Sequence, residues 1–287
     1  MRLLIYGYGF SGSVLARRMG AAGWGVMATF RSAIGKVRIE ADGFDAVDVT
    51  DRAGLAQALS AAQAVLVTAA PGPDGCPGWG TLAPLLKQAA QVPDWVGYLS
   101  TTGVYGDRQG RWVTEHSPLV PRSVEGARRV DAEAGWLELG RSPGFPITVF
   151  RLPGIYGPGR STFDRLRDGR ARRISALGQV FSRIHVDDLA AGLAASMSRP
   201  RAGGIYNLCD DEPAPNSEVV AYAAGLLGIP SPPEVSLEDA GLSATAMRFY
   251  GESKRVSNAL AKAELGWRPA YPTFREGLAA ILATEVS

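Results

Sequence analysis

Near its start the chain reads Leu3-Leu4-Ile5-Tyr6-Gly7-Tyr8-Gly9-Phe10-Ser11-Gly12, an apolar run that passes directly into three spaced glycines. The apolar run predicts a buried strand over 3–6, and the periodicity that follows predicts a helix over 11–22. Glycines at such a junction permit a tight turn and let the backbone approach a pyrophosphate at the helix N-terminus. The stretch therefore predicts a dinucleotide-binding turn over 7–12, and the alternative is a purely structural turn.

Outward from this stretch, short apolar runs alternate with helical patterns through the first half of the chain. Further strands are predicted over 25–30, 44–47, 64–67, 95–99 and 147–150, and a helix is predicted over 51–59. Such alternation is typical of a parallel sheet covered by helices on both faces. We therefore predict an α/β fold with a Rossmann-like, doubly wound parallel sheet.

The pattern changes after Arg151, where loops lengthen, glycine and proline recur, and arginines crowd residues 160–173. We predict a Rossmann-like domain over 1–150. Residues 151–287 are predicted to form mostly a smaller substrate-binding lobe, from which 205–208 returns to the main sheet as a strand. The stretch 258–281 is predicted to be helical around a turn at Trp267-Arg268-Pro269.

Composition excludes several classes of protein. With 30 basic and 28 acidic residues among 287, the net charge of +2 argues against a nucleic-acid partner. No apolar run approaches the roughly 20 residues that span a bilayer, so no membrane partner is expected. Two cysteines and two histidines are too few for a disulfide framework or a metal centre. These features predict a reduced, cytoplasmic protein with a small-molecule partner, and they leave the oligomeric state open, a homodimer included.

The end of the second predicted strand bears on the identity of the dinucleotide. An acidic residue about 20 positions after the glycine turn binds a ribose 2′-hydroxyl, whereas arginine accommodates a 2′-phosphate. Here the strand ends in Ala28-Thr29-Phe30-Arg31-Ser32, with no carboxylate before Glu40. Arg31 and Ser32 therefore favour NADP(H) over NAD(H), and the alternative for Arg31 is a solvated loop residue.

Further motifs follow the predicted strands in a fixed order. They are Asp48-Val49, Ala69-Ala70, Ser100-Thr101-Thr102-Gly103-Val104-Tyr105-Gly106, Arg151-Leu152-Pro153-Gly154-Ile155-Tyr156-Gly157-Pro158-Gly159, His185-Val186-Asp187-Asp188-Leu189-Ala190 and Leu265-Gly266-Trp267. This series resembles the extended short-chain dehydrogenase/reductase family, which includes NAD(P)-dependent epimerases and dehydratases of sugar nucleotides. The spacing of the glycines resembles that of the atypical members.

The resemblance implies a role for each of these motifs. It places Thr101 where the family has a serine or threonine that holds the substrate oxygen. It also implies cofactor contacts at the adenine (Asp48, Val49), at the pyrophosphate (Ala69, Ala70) and near the nicotinamide (Leu152, Pro153).

The expected catalytic pair is replaced. The family carries Tyr-x-x-x-Lys on a helix, with tyrosine as acid and base and lysine on the cofactor ribose. Alignment on Pro121-Arg122-Ser123 puts Glu125 at the tyrosine position and Arg129 at the lysine position, and no tyrosine occurs over 113–155. Spaced i, i+4 on a helix, Glu125 and Arg129 can pair, with Glu125 as a base and Arg129 on ribose or phosphate. The alternative is an ordinary surface ion pair.

Two residues of the second half are candidates for substrate contact. Arg160 follows the Tyr-Gly-Pro-Gly turn and suits a phosphate, and His185 lies just before a predicted helix, where a satisfied loop histidine is the alternative. The motifs favour an NAD(P)-dependent oxidoreductase, epimerase or dehydratase that acts on a sugar nucleotide or a similar carbonyl or alcohol. The missing tyrosine and lysine favour the alternative, a non-catalytic NADP(H)-binding sensor or regulatory protein.

Overall fold

The computed structural model describes residues 1–286 except Pro143, Leu177, 243–246 and Arg248. The strands are β1 Arg2–Tyr6, β2 Gly25–Phe30, β3 Asp45–Asp48, β4 Ala64–Val67, β5 Trp95–Thr101, β6 Trp112–Val113, β7 Ile147–Leu152, β8 Gly154–Tyr156, β9 Arg173–Ser175, β10 Arg183–His185, β11 Gly204–Asn207, β12 Glu234–Ser236 and β13 Arg255–Val256. The helices described are α1 Phe10–Ala21, α2 Ala33–Ala41, α3 Arg52–Ala61, α4 Pro77–Gln88, α5 Val124–Arg141, α6 Thr162–Arg167, α7 Val186–Met197, α8 Asn216–Leu226, α9 Ala259–Leu265 and α10 Phe274–Val286.

Seven strands form one parallel sheet in the order β11-β7-β5-β4-β1-β2-β3. The strand order reverses between β1 and β4, and in open α/β sheets ligands bind at the carboxyl ends of the strands beside such a switch point. This sheet confirms the predicted Rossmann-like α/β fold. The six strands predicted in the first half are all present, with ends within two residues of the predicted ones.

Two hydrophobic cores cover the two faces of the sheet. Alternate residues of β1 supply both, since Leu3 and Ile5 join one core while Leu4 and Tyr6 join the other. Helices α1, α7 and α9 complete the first core, and α3, α4 and α5 complete the second. Burial on both faces explains why the central strands read as continuous apolar runs in the sequence.

Helix α2 was not predicted from the sequence. Its apolar residues Ile34 and Val37 are 84% and 63% exposed, and Ile39 is its buried residue. The helix therefore lacks the apolar stripe from which a helix is recognised. By contrast, the helix predicted over 51–59 is confirmed as α3, with the side chain of Asp51 as its N-cap on the Gly54 amide.

A third hydrophobic core gathers residues of the second half of the chain. Phe163 and Leu166 of α6, together with α8 and the apolar face of α10, form this core, which we call the C-terminal lobe. Strand β11 leaves the lobe and pairs with β7 at the edge of the main sheet, as predicted for 205–208. The helical stretch predicted over 258–281 is two helices, because Gly266 takes a left-handed conformation (φ +64°) at the end of α9. The division of the chain at residue 150 stays a prediction.

Candidate functional site

A cavity of about 250 Å³ lies at the carboxyl ends of β1, β4, β5 and β7. Its wall includes residues 9–12, Ser100 and Thr101, Leu152 and Pro153, and the arginines Arg129 and Arg160. A second cavity of about 380 Å³ lies between α1 and α7 and shares only Phe10 with the first. The smaller cavity is lined by part of the predicted functional residues, from the glycine turn, Thr101, Arg129, Leu152, Pro153 and Arg160, and we take it as the candidate site.

The three glycines of the turn have different roles. Gly7 has φ +106°, and a Cβ there would lie 2.6 Å from Thr68 Oγ1. A Cβ on Gly12 would lie 2.8 Å from the Gly7 carbonyl oxygen, so this glycine lets α1 pack closely on β1. A Cβ on Gly9 would meet nothing within 4 Å and would project from the cavity wall. Gly7 and Gly12 therefore shape the turn, while Gly9 keeps the space in front of it open.

The N-terminus of α1 faces this open space. Gly9 is the N-cap, and among the described residues no side chain caps the helix and no acidic residue occupies its first turn. The first backbone N–H groups and the positive end of the helix dipole are therefore available to an anion. An open cradle beside an uncapped helix N-terminus fits the pyrophosphate of a dinucleotide, and pyrophosphate binding at residues 7–12 stays a prediction.

The side chain of Tyr8 does not line the cavity. Its hydroxyl donates a hydrogen bond to Asp42 Oδ2 (2.5 Å), and the Arg38 guanidinium lies 5.7 Å from the ring centroid. Burial and this carboxylate raise the pKa of Tyr8. Tyr8 therefore braces the glycine turn against the end of α2, and its part in cofactor binding stays a prediction.

Arg31 and Ser32 lie at the end of β2, where the dinucleotide preference was predicted. Arg31 is exposed and takes part in no ion pair among the residues described. Ser32 is the N-cap of α2, and its Oγ accepts a hydrogen bond from the Gly35 amide (3.2 Å). The Arg31 guanidinium is thus available to a ligand phosphate, and the Ser32 hydroxyl keeps its proton to donate.

Asp48 and Val49 adjoin this position. The Val49 amide donates to the Phe30 carbonyl oxygen (3.1 Å), which holds the end of β3 beside the end of β2. Asp48 Oδ1 accepts hydrogen bonds from the Thr50 amide (2.8 Å) and hydroxyl (2.7 Å), and these bonds lower the pKa of Asp48. One carboxylate oxygen is therefore already engaged inside the chain.

The residues that follow β4 reach the glycine turn through Thr68. Its hydroxyl donates to the Gly7 carbonyl oxygen (2.6 Å) and its side chain lines the cavity, a role that was not predicted from the sequence. Ala69 lies against Gly7, with its backbone nitrogen 3.2 Å from the position of a Gly7 Cβ, and Ala70 is exposed. The sequence could have indicated Thr68, because it is a polar residue between an apolar strand and two alanines.

Thr101, Leu152 and Pro153 come together on the cavity wall, at the ends of β5 and β7. Thr101 Oγ1 accepts a hydrogen bond from the Gly103 amide (3.1 Å). Because a hydroxyl has one proton and two lone pairs, this bond leaves the Thr101 proton free to point at a ligand oxygen.

The structure separates the two residues at the positions of the family's catalytic pair. Glu125, in the first turn of α5, is exposed and does not line the cavity. Arg129, one turn further, is half-buried on the cavity wall. Its Nη1 donates to the Leu99 carbonyl oxygen, and its guanidinium carbon lies 5.9 Å from the centroid of the Tyr98 ring. Of the two, Arg129 is the one placed to meet a ligand.

The two candidates for substrate contact also have different positions. Arg160 lines the cavity, with its guanidinium 5.5 Å from the centroid of the Phe10 ring. His185 is 2% exposed, does not line the cavity and packs edge-on against Tyr156 and Tyr271. Its Nδ1 accepts a hydrogen bond from the Asp187 amide (3.3 Å) and so caps α7. The structure thus brings Arg160 to the site and leaves His185 in a structural position.

The buried position of His185 predicts how the stability of the protein depends on pH. Burial lowers the pKa of His185, although Asp187 and Asp188 oppose the shift. Since the folded pKa is below the unfolded value of about 6.5, the unfolded chain binds the proton more tightly, and stability falls as pH drops through and below about 6.5. In His185→Asn, which keeps a capping acceptor, urea unfolding should show a smaller loss of stability between about pH 7.5 and about pH 5.5.

His116→Asn is the matched control, because His116 is the exposed histidine. This variant should keep the pH dependence of the wild type. Equal pH slopes in wild type and His185→Asn would contradict the assignment.

A buried polar network lies directly behind the site. Arg151 Nη2 donates to Glu133 Oε2 (2.8 Å), and both side chains are at most 3% exposed. Ser100, on the cavity wall, donates to the same carboxylate (2.5 Å). Arg151 also donates to the Tyr105 hydroxyl (3.1 Å), which in turn donates to Asn207 Oδ1 (2.7 Å). The network fixes the strand ends that carry Thr101 and Leu152.

The sequence contains one sign of this network. Arg151 is a charged residue at the end of a buried strand, and a buried charge needs a partner.

No helix in the described part of the chain is both long and apolar enough to cross a membrane. Over the same residues, no group of three or more histidine, cysteine, aspartate or glutamate side chains is arranged to hold a metal ion.

Comparison with known proteins adds a family match and several structural likenesses. A model of the NAD dependent epimerase/dehydratase family matches residues 3–209, most of the chain. A solved structure of a conserved protein of unknown function from Silicibacter pomeroyi is 44% identical. It superposes with a TM-score of 0.91 and covers 100% of this chain and 99% of its own.

Two more distant structures carry a nicotinamide dinucleotide. The dTDP-glucose 4,6-dehydratase of Bacillus anthracis, solved with NAD, is 21% identical with a TM-score of 0.81, covering 100% of this chain and 96% of its own. The human epimerase family protein SDR39U1, solved with NADPH, is 20% identical with a TM-score of 0.76, covering 99% of both chains. At these identities the likeness is one of fold.

Proposed function

The chain belongs to the NAD dependent epimerase/dehydratase family, and from this premise we propose that it is an oxidoreductase that uses NADP(H) in preference to NAD(H) on a carbonyl or alcohol substrate. The observation that carries the proposal is the cavity at the switch point, where the open cradle at Gly9 and the proton donor Thr101 share one wall. A cytoplasmic location stays a prediction of the sequence.

The residues of the cavity wall have different roles in the proposed reaction. The backbone N–H groups at the start of α1 bind the pyrophosphate, and Leu152 and Pro153 bound the nicotinamide end. A bound nicotinamide dinucleotide supplies or accepts a hydride. Thr101 donates its free proton to the substrate oxygen and so holds and polarises the reacting bond.

Arg129 provides a fixed positive charge at the same place. Its Nη1 is engaged with the Leu99 carbonyl, but a guanidinium has five N–H groups, so others remain for a ligand. The charge stabilises an oxygen that becomes negative as a carbonyl is reduced. Arginine does not release its proton, so it cannot supply the proton that the substrate oxygen gains on reduction. We assign this proton transfer to water that reaches the substrate oxygen past Thr101. Glu125 then remains outside the reaction.

A second candidate function, a sensor of NADP(H) without turnover, is favoured by one observation. Over the described cavity wall, the polar side chains are serine and threonine hydroxyls and arginines, and no histidine, lysine, cysteine or carboxylate is among them to act as acid or base. A titration of NADPH followed by an assay of NADPH oxidation with carbonyl compounds separates the two functions. NADPH binding together with NADPH oxidation supports the oxidoreductase. Tight NADPH binding without oxidation supports the sensor, provided that the double variant Glu125→Tyr/Arg129→Lys also shows no oxidation.

The preference for NADP(H) makes a separate prediction. Arg31→Ala should weaken NADPH binding by about 10- to 100-fold, because a charge-assisted contact to the 2′-phosphate contributes roughly 1.5–3 kcal/mol. NADH binding should be unchanged. Titration by intrinsic fluorescence measures both. Lys36→Ala is the matched control, since Lys36 is an exposed cation on α2 that pairs with Glu40 (3.7 Å). Equal wild-type affinities for the two dinucleotides would contradict the preference.

A further inference from the structure

The arginines of residues 160–183 bear on the class of substrate. There are seven, and a nucleoside diphosphate would need several of them free for its two phosphates. Three are paired with carboxylates of this chain: Arg167 with Glu285 (2.5 Å), Arg173 with Glu234 (3.1 Å) and Arg170 with Asp168.

Two more lie off the cavity wall and donate to backbone carbonyls. Arg172 Nη1 donates to the carbonyl oxygens of Gly169 (2.9 Å) and Ala171 (3.0 Å), and Arg183 Nη1 donates to those of Phe181 (2.8 Å) and Ala214 (3.0 Å). Arg165 is exposed and lies off the cavity wall. Of the seven, Arg160 therefore remains as the one on the wall of the candidate site.

The cavity itself is small and offers little to a nucleobase. Its volume of about 250 Å³ is shared between two ligands, because one end must receive the nicotinamide. Phe10 is the aromatic residue on its described wall, and the Arg160 guanidinium lies over that ring. The Arg160 guanidinium thus competes with a base for this ring.

The charge on the wall is positive. Arg129 and Arg160 lie on it, and no carboxylate does among the described residues. Two arginines without a balancing acid favour an anionic ligand group. With Thr101 on the reacting oxygen and Arg129 on its developing charge, Arg160 is available to the anionic end of a short molecule.

We propose that the substrate is a small carbonyl or alcohol compound with a single anionic group, held at that group by Arg160, and not a nucleoside diphosphate sugar. This inference rests on the proposed oxidoreductase function and narrows the prediction made from the sequence.

The test uses the full chain saturated with NADPH. Binding is measured by thermal unfolding and equilibrium dialysis with glyoxylate, 2-oxobutyrate and glycolaldehyde phosphate as small anions, and with UDP-glucose and dTDP-glucose as sugar nucleotides. We expect at least one small anion to bind and neither sugar nucleotide to bind. Arg160→Gln should weaken that anion by about tenfold or more and leave NADPH affinity unchanged. Arg165→Gln, the matched control off the wall, should change neither.

Several results would overturn the inference. Binding of either sugar nucleotide, or no binding by any of the three small anions, contradicts the substrate class. A loss of NADPH affinity in Arg160→Gln would assign this arginine to the cofactor instead. Failure of the wild type to bind NADPH is a different result, because it contradicts the proposed function itself.

Discussion

A Gly9→Val variant is expected to lose dinucleotide binding while it keeps its fold. Apart from its two neighbours in the chain, a Cβ at this position meets no residue within 4 Å, so the added methyl groups cost little in the folded chain. They project instead from the cavity wall, in front of the uncapped N-terminus of α1, where a pyrophosphate must approach the backbone. We expect affinity for NADPH and NADH to fall by more than about 100-fold, which corresponds to about 2.7 kcal/mol.

Fluorescence titration measures the affinity, and circular dichroism with thermal unfolding checks the fold. Gly225→Val is the matched control, because a Cβ on Gly225 also meets open space, but Gly225 lies on α8 away from the cavity. This control should bind as the wild type does. If the Gly9→Val protein folds and binds NADPH and NADH with wild-type affinity, the glycine turn has only a structural role.

The second large effect concerns Arg129. Arg129→Gln removes the positive charge from the cavity wall, and turnover is expected to fall by about 10²–10³-fold, as when a donor to a developing oxyanion is removed. NADPH affinity should change much less than turnover. Arg129→Lys retains a charge and should recover part of the rate, which a purely structural role on the Leu99 carbonyl would not explain. Steady-state NADPH oxidation measures both variants.

Two neighbours on α5 complete this experiment. Arg128→Gln removes a charge from the adjacent residue, off the cavity wall, and should leave the rate unchanged. Glu125→Gln distinguishes the two assignments of the proton: no effect supports water, whereas a fall of about 10²–10⁴-fold would restore Glu125 as the acid and base. Wild-type turnover in Arg129→Gln would remove Arg129 from the reaction.

The extent to which the sequence predicts this site depends on how local each feature is. The strand β1, the glycine turn and the start of α1 are consecutive, so their spacing alone predicts the cradle. Thr101, Leu152 and Pro153 meet because they lie at the carboxyl ends of the parallel strands β5 and β7, which share one edge of the sheet. That convergence follows from the fold class and needs no knowledge of side-chain contacts.

Features that depend on tertiary packing were not predictable. The i, i+4 spacing of Glu125 and Arg129 shows that they share a side of α5, but not that the cavity wall ends between them. The buried position of His185 depends on Tyr156 and Tyr271, which reach it from β8 and from the chain before α10. Likewise, Tyr8 is bound to Asp42 across 34 positions of sequence, and no local pattern contains that contact.

The ion pair behind the site also constrains how the sheet can assemble. Strand β7 is buried along its whole length, so a shift of two residues against β5 would keep the same side chains on each face. Such a shift would carry the Arg151 guanidinium about 7 Å away from Glu133 and leave both charges in an apolar interior, at a cost of several kcal/mol. Arg151 therefore selects one alignment of β7 during folding by making the neighbouring misalignments too unfavourable to persist.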